Sequence, residues 1–185
     1  MNIYLIIILT TIIGFYILDL VTDYLNLKNL QYKLPQEFEG YYDAEKYTTS
    51  QKYLKENTSF SHFQSTFSLI LILLLILLGG FNYLDQFVRS FGYAEIVNGL
   101  IFMGILTFGS QIIGIPFSIY HTFVIEEKYG FNKTTIKTFI QDLIKSWFLT
   151  GIIGGISFSF IIWVFIKLGD LAWIYCWVGL TIFQL

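Results

Sequence analysis

Five apolar runs carry between them a single Asp, Glu, Lys or Arg, namely Asp19, and they leave this chain very few ways to fold. They occupy residues 3–20, 63–84, 96–125, 147–166 and 171–185. Crossing the hydrocarbon of a bilayer takes about 20 predominantly apolar residues in a helix. With no water there to bond the backbone, only helices and closed barrels can span it. These runs are continuous rather than alternating, so they predict helices. The third, about 30 residues long, carries Gly99, Gly104, Gly109, Gly114 and Pro116, which predicts a tilted or kinked span. The fifth has only 15 residues and is still apolar at residue 185, so it reads as a truncated span of something longer. The expected fold class is all-α: a polytopic membrane helix bundle of four complete transmembrane helices and a truncated fifth, with cytoplasmic interfacial helices.

Composition agrees. Hydrophobic residues make up 55% of the chain and charged residues 13%, against about 25% charged in soluble domains. The net charge is −2 and the basic residues are dispersed, which gives nucleic acid no footing as a partner. The lone Cys176 excludes an internal disulfide. The first 25 residues lack a basic n-region and a small-residue cleavage site, so the first run is read as a retained helix.

Lysines and arginine set an expected orientation. Residues 21–62 hold Lys28, Lys33, Lys46, Lys52 and Lys55, and residues 126–146 hold Lys128, Lys133, Lys137 and Lys145. The other two connections hold only Arg89 and Lys167. The positive-inside bias places loops one (21–62) and three (126–146) in the cytoplasm and the N-terminus outside or in a lumen. The compartment follows the cell: a bacterial inner membrane or, in a eukaryote, the endoplasmic reticulum.

The two long loops have local structure of their own. In the first, Asp43 is placed to cap a helix running to about Glu56, with Tyr47 and Leu54 on one face. In the third, Ile136, Phe139, Ile140, Leu143, Ile144 and Trp147 recur at helical spacing, which predicts an interfacial helix running into the fourth span. Between the third span and that helix, Gly130 suits the left-handed position after a helix end and Phe131 the hydrophobic position beyond it. Asn132 is expected to cap the next helix. Glu126 and Glu127 are harder to explain, because acids at a helix C-terminus oppose its dipole by about 0.3–1 kcal/mol each. Either they are solvated at the lipid boundary, or they meet basic groups or a functional site.

No catalytic constellation stands out. His62 and His121 end the cytoplasmic sides of spans two and three without metal-ligand spacing, so an interfacial role outweighs a zinc-ligand role for each. Gly151, Gly155 and Ser159, four apart, form a small-residue stripe that favours close helix packing. Asp19 and Asp23 lie one turn apart at the end of the first span, where an interfacial role competes with a functional one. Asn98 and Gln111 lie within the third span, where they can line a polar interior.

The stretch FSIYHTFVIEEKYGFNKTTIKTFIQDLIKSW resembles the signature of the CAAX prenyl protease 1 family. The matching positions include Pro116, Tyr120, Glu126, Glu127, Gly130, Phe131, Asn132 and Lys133, and continue to Asp142, Lys145 and Ser146. Loop one, LPQEFEGYYDAEKYTTSQKYLKENTSF, resembles the same family, so the likeness covers essentially the whole chain. It implies a zinc metalloendopeptidase in which seven membrane helices enclose a water-filled chamber and cleave prenylated or membrane-associated proteins. It also implies that the zinc ligands, an HExxH helix and a later Glu, lie downstream of residue 185 in a protease domain of the same protein. A zinc-polarised water, with the HExxH Glu as general base, is the implied mechanism. No catalytic or metal residue is therefore assigned here, and the chain alone is expected not to cleave peptides. The partners expected are the lipid bilayer, that downstream domain and the peptide or prenylated-protein substrate. A non-catalytic membrane scaffold or a small transporter is the alternative.

Overall fold

The computed structural model describes residues 2–184, and its described residues form helices and short connections with no strand among them. Helix α1 is Ile3–Lys28, α2 Ala44–Leu77, α3 Gly80–Arg89 and α4 Glu95–Tyr120. A π-helical turn, His121–Glu126, follows α4. Next come α5 (Ile136–Leu149), a second π turn (Thr150–Gly154), α6 (Gly155–Leu168) and α7 (Ala172–Gln184). The all-helical fold class read from the apolar runs is the fold the chain has. Four helical stretches are long and apolar enough to cross a membrane, the last running from Ile136 to Ile182.

Among the described residues only six apolar side chains are buried: Leu34, Val88, Ile125, Val164, Ala172 and Cys176. Leucines, isoleucines and phenylalanines along the helices are instead widely exposed. In water this would be untenable, but lipid tails are as apolar as leucine and reward exposure as well as burial. The chain is an integral, multi-pass membrane protein.

Contacts divide the chain into two compact units. The first holds residues 1–80 and 115–133. Here α2 differs from expectation. Asp43 caps it, its Oδ1 accepting from the backbone N–H groups of Glu45 and Lys46 at 2.9 and 3.2 Å. Those bonds, that to Lys46 foremost, hold the Asp43 carboxyl below its ordinary range. The helix does not close near Glu56 but runs on to Leu77, 34 residues in all, because no Gly or Pro interrupts it before then. Since α1 also runs on to Lys28, the connection shrinks to residues 29–43, which hold one 3-10 turn, Gln36–Phe38. At its other end α2 stops short of residue 84, where Gly79 turns the chain at φ 73° and starts α3. Helices α1 and α2 are joined side by side by the Tyr16 hydroxyl and Thr66 Oγ1, 2.7 Å apart, and by Asp23 and His62.

The second unit holds residues 81–114 and 134–185. Helix α5 exposes Ile136, Ile140 and Ile144 and half-buries Phe139, Leu143 and Trp147, so its apolar side faces outward as a lipid-facing helix does. Among the glycines, Gly99 has the tightest surroundings: a Cβ there would stand 2.5 Å from Cδ1 of Ile162. Of the small-residue stripe, Gly151 faces the Phe108 ring, with 3.9 Å from an added Cβ to Cζ, while Gly155 has open space within 4 Å and Ser159 is half-buried. The 47 residues from Ile136 to Ile182 would, as one straight helix, reach about 70 Å, more than twice the hydrocarbon thickness of about 30 Å. Gly169, at φ 52° and ψ −123°, reverses the chain instead. Helix α7 returns along α6, with Val164, Ala172 and Cys176 packed together and Gly179 beside Phe160.

Removing the α1–α2 hydroxyl contact with Tyr16→Phe should cost about 0.6 kcal/mol and no more than about 1.7 kcal/mol, the range for hydrogen bonds between membrane helices. Thermal melting of the detergent-solubilised chain should show a small drop, and an unchanged melt would mean that the hydroxyls do not bind the helices together.

Candidate functional site

The strongest concentration of polar and aromatic contacts lies where α4 leaves its span and meets α2. From Tyr120 the helix loosens into the π turn, a form often found at functional sites. Within it Ile125 is 1% exposed and anchors the turn. Residues 127–131 then close the helix. The Phe131 N–H donates to the Glu126 carbonyl at 2.9 Å and the Gly130 N–H to the Glu127 carbonyl at 3.1 Å, the paired bonds of a Schellman motif. Gly130 makes this possible with φ 74°, a conformation that a Cβ penalises.

The two acids have partners, and neither is Lys or Arg. Glu127 Oε2 accepts from the Asn132 side-chain amide at 2.9 Å. Glu126 Oε1 lies 3.7 Å from His121 Nδ1, an ion pair when the imidazole is protonated. Asn132 therefore does not cap the next helix as expected. Thr135 does so, its hydroxyl accepting from the Thr138 N–H. The correction has a physical reason: the next helix begins at Ile136, three residues beyond the start that an Asn132 cap would give it, so Thr135 and not Asn132 stands beside its free N–H groups. Lys133 is exposed.

Four residues of α2 grip this corner. Glu56 Oε2 accepts from Lys128 Nζ at 2.6 Å and from the Tyr129 hydroxyl at 2.7 Å. The bond to Glu56 is the main reason that the Lys128 ammonium and the Tyr129 phenol both titrate above their ordinary values. Asn57 Oδ1 lies 2.8 Å from His121 Nε2. Tyr53 stands edge-on to both Tyr129 and Phe131, with centroids 5.4 and 4.8 Å away. Phe60 stacks on Tyr120 at 5.0 Å. Tyr53, Glu56, Asn57 and Phe60 are spaced i, i+3, i+4, i+7, one stripe of a helix. The stripe mixes polar and aromatic residues, so apolar periodicity does not reveal it in the sequence.

The remaining candidates do not converge on this corner. His62 lies 3.5 Å from Asp23, while His121 bonds Asn57, so the two histidines serve different contacts. Asp19 and Asp23 border a small cleft with Tyr16, Ser61, His62 and Ser65. Asn98 donates to the Tyr93 carbonyl at 2.9 Å, and its own Oδ1 is buried without a partner. Gln111 is half-buried. Among the described residues no three His, Cys, Asp or Glu side chains stand close enough to hold a metal, so these residues do not fit a zinc site.

A multi-pass all-helical membrane domain with a clamped corner at the end of a span and no metal-holding cluster among its described residues is the class these observations define. The family profile described as "CAAX prenyl protease N-terminal, five membrane helices" matches residues 23–185. The chain is 36% identical over 194 residues to the probable CAAX prenyl protease 1 of Schizosaccharomyces pombe, covering 94% of this chain and 40% of that protein. It is 36% identical over 191 residues to the CAAX prenyl protease 1 homolog of Arabidopsis thaliana, covering 95% and 44%. The crystal structure of S. mikatae Ste24p superposes with a TM-score of 0.86 at 28% identity, covering all of this chain and 44% of that one. The chain belongs to the CAAX prenyl protease family and corresponds to its N-terminal membrane domain. It spans about 40% of the length of the first of these relatives.

Two outcomes follow for the corner. Gly130→Ala should destabilise the domain by about 1–3 kcal/mol, the cost of an unfavourable backbone conformation, read as a lower melting temperature. Lys128→Met should lower it too. Because the folded-state value of Lys128 is raised, its contribution is fully present below the unfolded value near pH 10.4 and lost only as pH climbs through the folded one. The deficit of the Lys128→Met chain should therefore be equal at about pH 7 and 9; a deficit that vanishes by pH 9 would contradict the assignment.

Proposed function

We propose that this chain is the chamber-forming membrane half of a zinc-dependent endopeptidase of the CAAX prenyl protease type, acting on prenylated or membrane-associated proteins. The family membership is what carries this reading. The relatives are named proteases, and more than half of their length lies outside the region matched here. In this reading the zinc ligands and general base come from that other part of the protein, and this half contributes walls, membrane anchorage and a docking face. The N-terminus lies outside or in the lumen and loops one and three in the cytoplasm, in keeping with the nine-to-two distribution of basic residues. In a eukaryotic cell the membrane is that of the endoplasmic reticulum.

The clamped corner is the docking face. Glu127 is exposed and Glu126 half-exposed, each presenting a carboxylate beside the bond it already makes. Basic groups of the protease domain complete their surroundings, which offsets the unfavourable helix-end position of two acids.

The test is cleavage of a farnesylated peptide by the complete protein in membranes, with and without a zinc chelator. Chelator-sensitive cleavage by the complete protein, and none by residues 1–185 alone, is the expected result; a complete coding sequence without an HExxH motif overturns it. In the complete protein, Glu126→Gln combined with Glu127→Gln should lower activity or thermal stability by about tenfold or several degrees, as when charge-assisted contacts are lost. Wild-type behaviour of that variant would remove the docking role.

A further inference from the structure

The face of α2 opposite the corner borders a polar cleft of about 420 Å³ against the end of α1 and the first residues of the connection after it. Its chemistry is unusual for a membrane domain. Four carboxamides line it: Asn26, Asn29, Gln31 and Gln51. No hydrogen bond ties any of these side chains to the protein among the described residues, and Asn26, Asn29 and Gln31 are exposed. Tyr47 and Thr58 add hydroxyls, and no Lys or Arg is among the lining side chains. Leu27, Leu30 and Leu54 supply apolar surface between the polar groups.

This donor and acceptor set narrows the ligand. A phosphate or carboxylate needs cationic or backbone N–H partners, and the lining offers no basic side chain. A lipid tail gains nothing from four carboxamides, which lose their hydration when it binds. Each carboxamide presents N–H donors and a C=O acceptor side by side, the same pair that a peptide unit presents. Volumes of about 300–1,000 Å³ are typical of sites that enclose a small ligand, so the cleft has room for a short extended segment but not for a folded one. The leucines offer apolar surface to the side chains of such a segment.

We propose that the α1–α2 cleft is a binding site for an extended, uncharged polypeptide segment, recognised chiefly through its main chain by Asn26, Asn29, Gln31 and Gln51. This builds on the protease reading, to which it adds a place where a substrate is held away from the point of cleavage. Binding by main-chain hydrogen bonds is tolerant of sequence, with side-chain pockets adding what selectivity there is. Asp23, shared with the smaller cleft beside His62, forms the boundary nearest the apolar part of α1.

The inference is tested on the 185-residue chain in nanodiscs by fluorescence anisotropy, with empty nanodiscs as the blank. The probe is a fluorescein-labelled eight-residue peptide of alternating serine and valine. Its control is the same peptide N-methylated at alternate backbone nitrogens, which removes donors without adding charge. Saturable binding of the probe is expected, weakened about tenfold or more by N-methylation and by Asn26→Leu combined with Gln51→Leu, as two lost hydrogen bonds imply. Helix content by circular dichroism shows whether the double variant folds; the N-methylated arm uses the unaltered chain and decides the matter by itself. Absence of binding, or equal affinity for both peptides, overturns the site. Because no cleavage is measured, that result leaves the protease reading standing, and a complete protein that fails to cleave leaves the cleft's peptide affinity standing.

Discussion

The first unit depends on one constraint: α2 must satisfy two neighbours at once along the same 34 residues. One stripe, Tyr53, Glu56, Asn57 and Phe60, holds the corner after α4, and Phe63 and Phe67 extend it along Phe117. The other, Tyr47, Gln51, Leu54, Thr58, His62 and Thr66, faces α1. A helix committed on two sides cannot rotate to improve one contact without breaking the other. Its register is therefore fixed from both sides, so contacts on either side keep their geometry.

The corner shows how polar groups do this in a membrane protein. Lipid provides no hydrophobic drive between helices, so directional contacts carry more of the specification than they would in water. The π turn encloses one more residue between its bonded backbone groups than an α-helix does. That extra residue lies between Tyr120, which stacks on Phe60, and Glu127, which bonds Asn132, and it lets His121 meet Asn57 while Ile125 is buried. The Schellman bonds then occupy the carbonyls of Glu126 and Glu127, so that the chain ends of the helix are closed before their side chains are used.

How much of this was legible in the sequence follows from the kind of signal. Apolar runs are long and redundant, so helices and membrane class could be read directly, and Gly130 followed by Phe131 announced a helix end. Boundaries inside continuous helix were not legible. Asp43 is a sound cap, yet nothing in the residues after Glu56 says that the same helix goes on into the membrane, because absence of a breaker is a weak signal. Asn132 and Thr135 are both competent caps, and the choice turns on where the helix begins, at Ile136, which local pattern does not fix to within three residues. The small-residue stripe was read at Gly151, Gly155 and Ser159, while the glycine with least room for a side chain is Gly99 on another helix, since room depends on what stands opposite.

The α1–α2 interface changes character along its length, and that gradient is itself informative. At Tyr16 and Thr66 it is a single hydroxyl pair; at Asp23 and His62 it becomes ionisable; beyond Asn26 and Thr58 it opens into carboxamides. Packing alone would favour closing the interface with leucines, because unbonded amides between helices contribute nothing to cohesion. An interface that widens into free carboxamides where the helices leave the apolar zone has given up cohesion for hydrogen-bonding capacity directed outward. Such an exchange is understandable where the helices must hold something other than one another.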